Sequence, residues 1–241
     1  MADSRCVKTL VCVASMAVSL AVVGYTDEEI KDRLIGSGQY IDNYTLARAA
    51  FQHSRDCCEG DTNRFARLIF ELAQTNDTRM VGRMIGLLGT YGTTAQLPFL
   101  YSMATNEQHG ASAVKSILRL EGVTSNSVAI AGRYLSMTNV DFEYRADVCK
   151  TLLRATAQDS VSPIMRQVGR DCALRYARSA NRYVWDVDTV FIETDPTYRN
   201  SRRRIEVLRA AFRLGVSQYQ IAYVTNAINE LVAYPEVDLP E

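Results

Sequence analysis

The stretch RMVGRMIGLLGTYGTTAQLPFLYSMATNEQHGASAVKSILRLE, residues 79–121, decides the fold. Met80, Met84, Leu87 and Leu88 recur at three- and four-residue steps, which puts them on one face of a helix. A break at Thr90-Tyr91-Gly92 follows, and then a second short stripe, Leu97, Leu100 and Tyr101. After a polar turn at Thr105-Asn106-Glu107 the apolar period restarts with Ala111, Ala113, Val114, Ile117 and Leu118. Short stripes separated by short polar breaks predict antiparallel helices joined by tight turns.

The same period extends in both directions. Phe65, Leu68, Ile69 and Leu72 form a stripe before it, and Ile130, Tyr134 and Met137, then Val148, Leu152 and Leu153, follow it. Further stripes are Ile205, Leu208 and Phe212, and Ile221, Val224, Ile228 and Leu231. The breaks carry the chemistry of helix ends. Asp61 or Thr62, Asp77 or Thr78, Thr93 or Thr94, Thr124 or Ser125, and Asp141 offer side-chain oxygens for helix starts. Gly89, Gly92 and Gly122 stand where a left-handed residue would end a helix. Pro98 lies too deep behind the threonines for a favoured first-turn position, so its helix begins later or kinks. The one segment that does not read as helix is Tyr183 to Glu193, expected as an extended strand or an irregular insertion near 181–200.

Composition narrows the class. The 241 residues are 47% hydrophobic and 22% charged, enough to bury a core and too apolar for a disordered chain. With 5 prolines and 13 glycines there are few breakers for a large all-β fold. Basic and acidic residues number 27 each, so the overall balance calls for neither nucleic acid nor an acidic membrane as partner.

Residues 79–121 resemble a HEAT-type, armadillo-like helical repeat followed by the first helix of the next. The likeness rests on Leu87-Leu88-Gly89 before the turn, the spaced Leu97, Leu100 and Tyr101, and the restart at Ala111, and it covers about residues 61–180. The turn Asp and second-helix Arg usual in the family are not at regular positions here. The resemblance implies an all-α fold, an α-solenoid of antiparallel hairpins stacked as a right-handed superhelix. It also implies a concave surface of the kind that commonly binds other proteins. The stripes give about four to five hairpins over residues 25–241.

Residues 1–24 are expected to lie outside that stack. Arg5 and Lys8 precede an uncharged stretch from Thr9 to Thr26, and Asp27, Glu28 and Glu29 follow, the layout of a signal peptide. Three readings stay open: a cleaved signal, a retained N-terminal anchor, or a buried core helix. The first two place the body outside the cytoplasm, as a periplasmic, envelope-associated or secreted protein, touching a membrane only through residues 9–26 if these are kept. In an oxidising compartment Cys149 and Cys172, on consecutive antiparallel helices, are candidates for a disulfide; the alternative is two buried thiols. Cys57-Cys58 lacks the spacing of a redox or zinc site.

No converging catalytic set is visible. His53 and His109 lie on separate helices with no cysteine or carboxylate at ligand spacing. Gly36-Ser37-Gly38 lacks the lysine and preceding strand of a phosphate loop. Asp186 and Asp188 could hold a cation, but the further acids and turn glycine of a calcium loop are missing, and a solvated turn is the plainer reading. These features predict no metal and no cofactor, and a non-catalytic interaction or scaffold module; the alternatives are an enzyme domain on an irregular helical fold with its site near 181–200, and an envelope-tethered structural protein.

The most unusual composition runs from Met165 to Arg213, with 11 arginines at 166, 170, 175, 178, 182, 199, 202, 203, 204, 209 and 213, interleaved with aromatics. Guanidinium groups beside broad rings are what binding hot spots favour. Arg175, Arg178, Arg182, Trp185, Tyr198 and Arg202 are therefore the candidate residues for a protein partner, against the plainer reading of a solvated basic face. Nucleic acid does not fit an exported chain of zero net charge.

Overall fold

The structure is a computed structural model and describes residues 25–38, 52, 53, 55–58, 60–75, 78–179 and 184–232. Among these there are 11 α-helices, two 3₁₀ segments and no strand. The chain divides into two units, Met1–Asp61 and Thr62–Glu241. Residues 1–24, with the expected signal or anchor, lie outside the described residues, as does Arg182.

In the first unit, α1 spans Asp27–Gly38. Thr26 starts it: its hydroxyl accepts from the Glu29 amide at 3.3 Å and the Glu29 carboxylate accepts from the Thr26 amide at 2.8 Å, a reciprocal cap. Arg33 of this helix lies over the Tyr25 ring and bonds His53 Nε2 at 2.6 Å, so His53 is engaged by a cation.

The second unit holds α2 (Thr62–Ala73), α3 (Thr78–Tyr91), α4 (Leu97–Met103), α5 (Gly110–Leu120) and α6 (Ser125–Leu135). It continues with α7 (Phe142–Thr156), α8 (Pro163–Ala177), α9 (Val184–Thr194), α10 (Arg202–Leu214) and α11 (Gln218–Val232). Each helix packs on the next, apart from α3 and α4, and α3, α5, α7, α9 and α11 also pack on one another in series. A second series runs α6, α8, α10. The core lies between these rows, built by Leu68, Met84, Leu88, Ile117, Leu152 and Leu208, all with no exposed surface.

Local chemistry explains the boundaries. Thr124 caps α6 through the Ser127 amide, Asp141 caps α7 through the Glu143 amide, and Ser162 caps α8 through the Met165 amide. Thr93 caps a 3₁₀ turn, Thr94–Gln96, and α4 begins only after it, with Pro98 in its first turn. Gly122, at φ 73°, follows α5 in the left-handed region as expected. Gly89 does something else. It sits inside α3, and a Cβ there would lie 2.8 Å from Ser116 Cα, so its missing side chain lets α3 and α5 touch backbone to backbone. Ser116 uses the approach to donate to the Ile85 carbonyl at 2.7 Å.

The segment expected as strand or irregular insertion is helical over Val184–Thr194, with a 3₁₀ turn at Pro196–Asn200. Val184, Val187, Val190 and Phe191 fall on one buried face at helical spacing. The pattern was obscured because Asp188, a charged residue, sits on that same face.

Candidate functional site

The arginine-rich stretch extends from α8 to α10, and five of its ten described arginines, Arg166, Arg170, Arg178, Arg203 and Arg204, reach across to neighbouring segments. Arg166 donates to the Gln158 and Val161 carbonyls at the α7–α8 turn. Arg170 joins α8 to the end of α9 through Asp195 at 3.0 Å and the Thr194 carbonyl at 3.0 Å. Arg178 reaches Glu206 on α10 at 2.5 Å, and Arg203 reaches back to Asp171 at 4.0 Å.

The centre of this system is buried. Asp188 has no exposed surface, and Arg204 bonds both its oxygens, Nε at 3.1 and 3.3 Å and a terminal nitrogen at 3.0 Å. Tyr223 of α11 donates to Asp188 Oδ2 at 2.5 Å, and Arg204 also holds the Arg199 carbonyl at 3.0 Å. Burial opposes the Arg204 charge, but Asp188 outweighs it and raises the guanidinium pKa. Burial first, then the Asp188 charge, pushes Tyr223 up to about 12. Asp188 is thus a structural counter-ion. Asp186 stands two residues away on a partly exposed side of α9, so the pair does not converge on a cation, a geometry that i, i+2 spacing on a helix dictates.

The candidate partner-binding residues are dispersed. Tyr198 is buried and stacked on Phe191, centroids 4.7 Å apart, and burial first, then the Asp188 charge, raises its hydroxyl pKa. Trp185 is half exposed on α9, its ring 6.0 Å from Tyr223. Arg178 is exposed but engaged with Glu206; Arg202 is exposed at the start of α10; Arg182 lies outside the described residues. Arg175 is exposed on α8. Cys149 and Cys172 are buried free thiols rather than a bridge, the first directed at the Ala173 carbonyl at 3.8 Å and the second at that of Val128 at 4.0 Å. Burial raises both thiol pKa values.

Arg175 belongs to an open groove of about 800 Å³ between α6 and α8. One wall is α6, where Ala129, Gly132 and Ser136 are small at helical spacing; the other is α8, with Ile164, Val168 and Cys172. Ile164 is 75% exposed and Val168 42%. Arg133 and Arg175 stand near the C-terminal ends of the two helices, and among the described residues no carboxylate lines the groove. The sequence pointed to Arg175 by composition alone. It missed the apolar wall, because Ile164 and Val168 fall in the same period as core residues.

His109 is buried where a Cβ on Gly82 would come within 3.1 Å of its Nδ1, and burial lowers its pKa, as expected of a neutral core imidazole. Among the described residues no group of three or more His, Cys, Asp or Glu is placed to hold a metal, and no helix is long and apolar enough to cross a membrane. No family model, curated protein or solved structure matches the chain.

Proposed function

We propose that this protein is a non-catalytic interaction module, exported from the cytoplasm, which holds a protein partner in the groove between α6 and α8. The observation that carries the reading is the groove itself: exposed apolar side chains on one wall, a small-residue wall opposite, two arginines and no acid. Such a lining suits a partner segment with an apolar face and acidic residues at one end. The two series of packed helices support a HEAT-like, right-handed stack, in which consecutive hairpins present their outer helices side by side and leave such grooves between them.

Photo-crosslinking tests this. A photoreactive residue at Val168 in the full-length chain, in an extract of its source, is expected to capture a partner that one at Arg154 on α7 does not. Arg133→Glu with Arg175→Glu should abolish that capture, and raised salt should weaken it. Equal capture from both positions, or capture indifferent to the charge reversal, would overturn the assignment.

A further inference from the structure

A second surface lies at the turn between α10 and α11, and it does not rest on the groove. Helix α10 ends at Leu214, Gly215 follows in the left-handed region at φ 84°, and α11 starts at Gln218, so the chain reverses tightly. Helix α11 packs on α9 and α10. Phe212 and Leu214 are the last large apolar side chains of α10, and Tyr219 and Ile221 are the first of α11. At about 1.5 Å of rise per residue, all four stand within one helical turn of the reversal. Tyr219 is 97% exposed, and Phe212, Leu214 and Ile221 are about half exposed. So is Trp185 of α9, which lies beside Tyr223, one turn along α11 from Tyr219. These five make up more than half of the large apolar side chains that the second unit exposes among its described residues, so they form a patch rather than the scattered exposure any surface carries.

The charges beside this patch have one sign. Residues 207–229 carry Arg209 and Arg213 and no acid. Both arginines are exposed, and no described carboxylate pairs with either. Glu206 is engaged by Arg178, and Glu230 lies at the other end of α11, about 18 Å along its axis from Gln218. Asp186 is two residues from Asp188, which meets Tyr223, and so stands on the side of α9 away from α11.

Shape decides the kind of partner. Tyr219 and Ile221 project about 200° apart around α11, so a rigid protein face that covers one leaves the other in water. A fluid interface surrounds both. Tyrosine and tryptophan rings favour the headgroup layer of a bilayer, where one edge is apolar and the other wet. Arginine stems lie along apolar surface while the guanidinium holds phosphate. The last carbonyls of α10 and the first amides of α11 face the same turn and need water, which limits entry to that layer.

We infer that the α10–α11 turn docks on an anionic membrane surface. Phe212, Leu214, Tyr219 and Ile221 enter the interfacial layer, Trp185 lies at its edge, and Arg209 and Arg213 hold lipid phosphates. The contact is peripheral: side chains enter, and the two helices do not cross.

Trp185 is the one tryptophan of the chain, so its emission reads this end of the hairpin and is blind to the apolar stretch before Asp27. The full-length protein is titrated with vesicles of equal phosphatidylglycerol and phosphatidylcholine, their acyl chains brominated near the headgroup. The expected result is a blue shift and quenching of the Trp185 emission. Half-quenching should need on the order of 25-fold more lipid after Arg209→Gln with Arg213→Gln, since each basic residue at an anionic surface contributes about fivefold. Pure phosphatidylcholine should show the same weakening. Tyr219→Asp, at a side chain too exposed to matter to folding, should weaken quenching at least tenfold, and Ile164→Asp in the groove should leave it unchanged. No quenching by either vesicle would make the patch a protein surface; equal quenching by both would remove the role of the arginines; quenching indifferent to Tyr219→Asp would place the contact elsewhere. Each of these overturns the proposal.

Discussion

The α3–α5 pair and the α8–α11 end follow the same packing order but are joined by different chemistry. Between α3 and α5 the contact is made by close backbone approach at Gly89, with Met84, Leu88 and Ile117 fully buried around it. Between α8 and α11 the helices are bridged by side chains reaching across, Arg170 to Asp195, Arg178 to Glu206, and Arg204 to Asp188 and Tyr223. One pattern of stacking therefore tolerates two kinds of joint. The apolar joint has no charge pair for salt to screen, whereas the exposed pairs of the arginine joint are weakened by it.

The largest effect expected from breaking this contrast is at Arg204. Arg204→Ala leaves Asp188 charged and buried without its counter-ion, which costs about 3–5 kcal/mol. Chemical denaturation of the full-length chain measures it. Replacing both groups together, Asp188→Leu with Arg204→Met, should cost much less, because no uncompensated charge remains. If the single variant lost under about 1 kcal/mol, the pair would not be the joint described here.

At the apolar joint the comparison is sharpened by two glycines one turn apart. Gly89→Ala drives a methyl group toward Ser116 Cα, an atom of backbone that cannot step aside, and is expected to cost about 1–3 kcal/mol. Gly86 has nothing within 4 Å of its Cβ position, so Gly86→Ala should stabilise the helix by up to about 1 kcal/mol. Equal effects at the two positions would mean that α3 and α5 are not in close contact at Gly89.

How far this was legible in the sequence follows the same division. The apolar joint was readable, since Phe65, Leu68, Ile69, Val114, Ile117 and Leu118 keep a clean helical period and are all buried. So were the caps at Thr93, Thr124 and Asp141, whose side chains carry their own local signal. The arginine joint was not. Asp188 on a buried face breaks the period of α9, and nothing local shows that Arg204, 16 residues on, neutralises it. Tyr198 looked like a binding aromatic for the same reason, its burial depending on the fold around Phe191. Gly89 was read as a helix end, because sequence shows a missing side chain without showing which neighbour needs the space.

Alkaline pH separates the joints again, with a smaller effect spread over two tyrosines. Tyr223 and Tyr134 are raised from 10.0 to about 12, in each case chiefly by burial. A tyrosine whose folded pKa lies above its unfolded value contributes stability that is complete below pH 10 and is lost as pH rises toward 12. Denaturation midpoints should fall across that window. Tyr223→Phe should flatten part of the fall while weakening the α9–α11 contact; Tyr134→Phe should flatten part of it without touching that contact. A midpoint that fell equally in all three proteins would assign the loss to other groups.

The smallest effect belongs to the exposed bridge. Arg178 and Glu206 meet at 2.5 Å, but their side chains retain 46% and 51% of their exposure. Water screens such a pair and two long side chains must be ordered to form it, so Arg178→Ala should cost about 0–1 kcal/mol and less in high salt. Arg175→Ala, three residues earlier on the same helix, should leave stability within about 0.5 kcal/mol while reducing partner capture from Val168. Stability and capture therefore part company at these neighbours: the first variant moves stability alone, the second capture alone. A loss of capture with Arg178→Ala equal to that with Arg175→Ala would extend the binding surface from the groove onto the α8–α10 bridge.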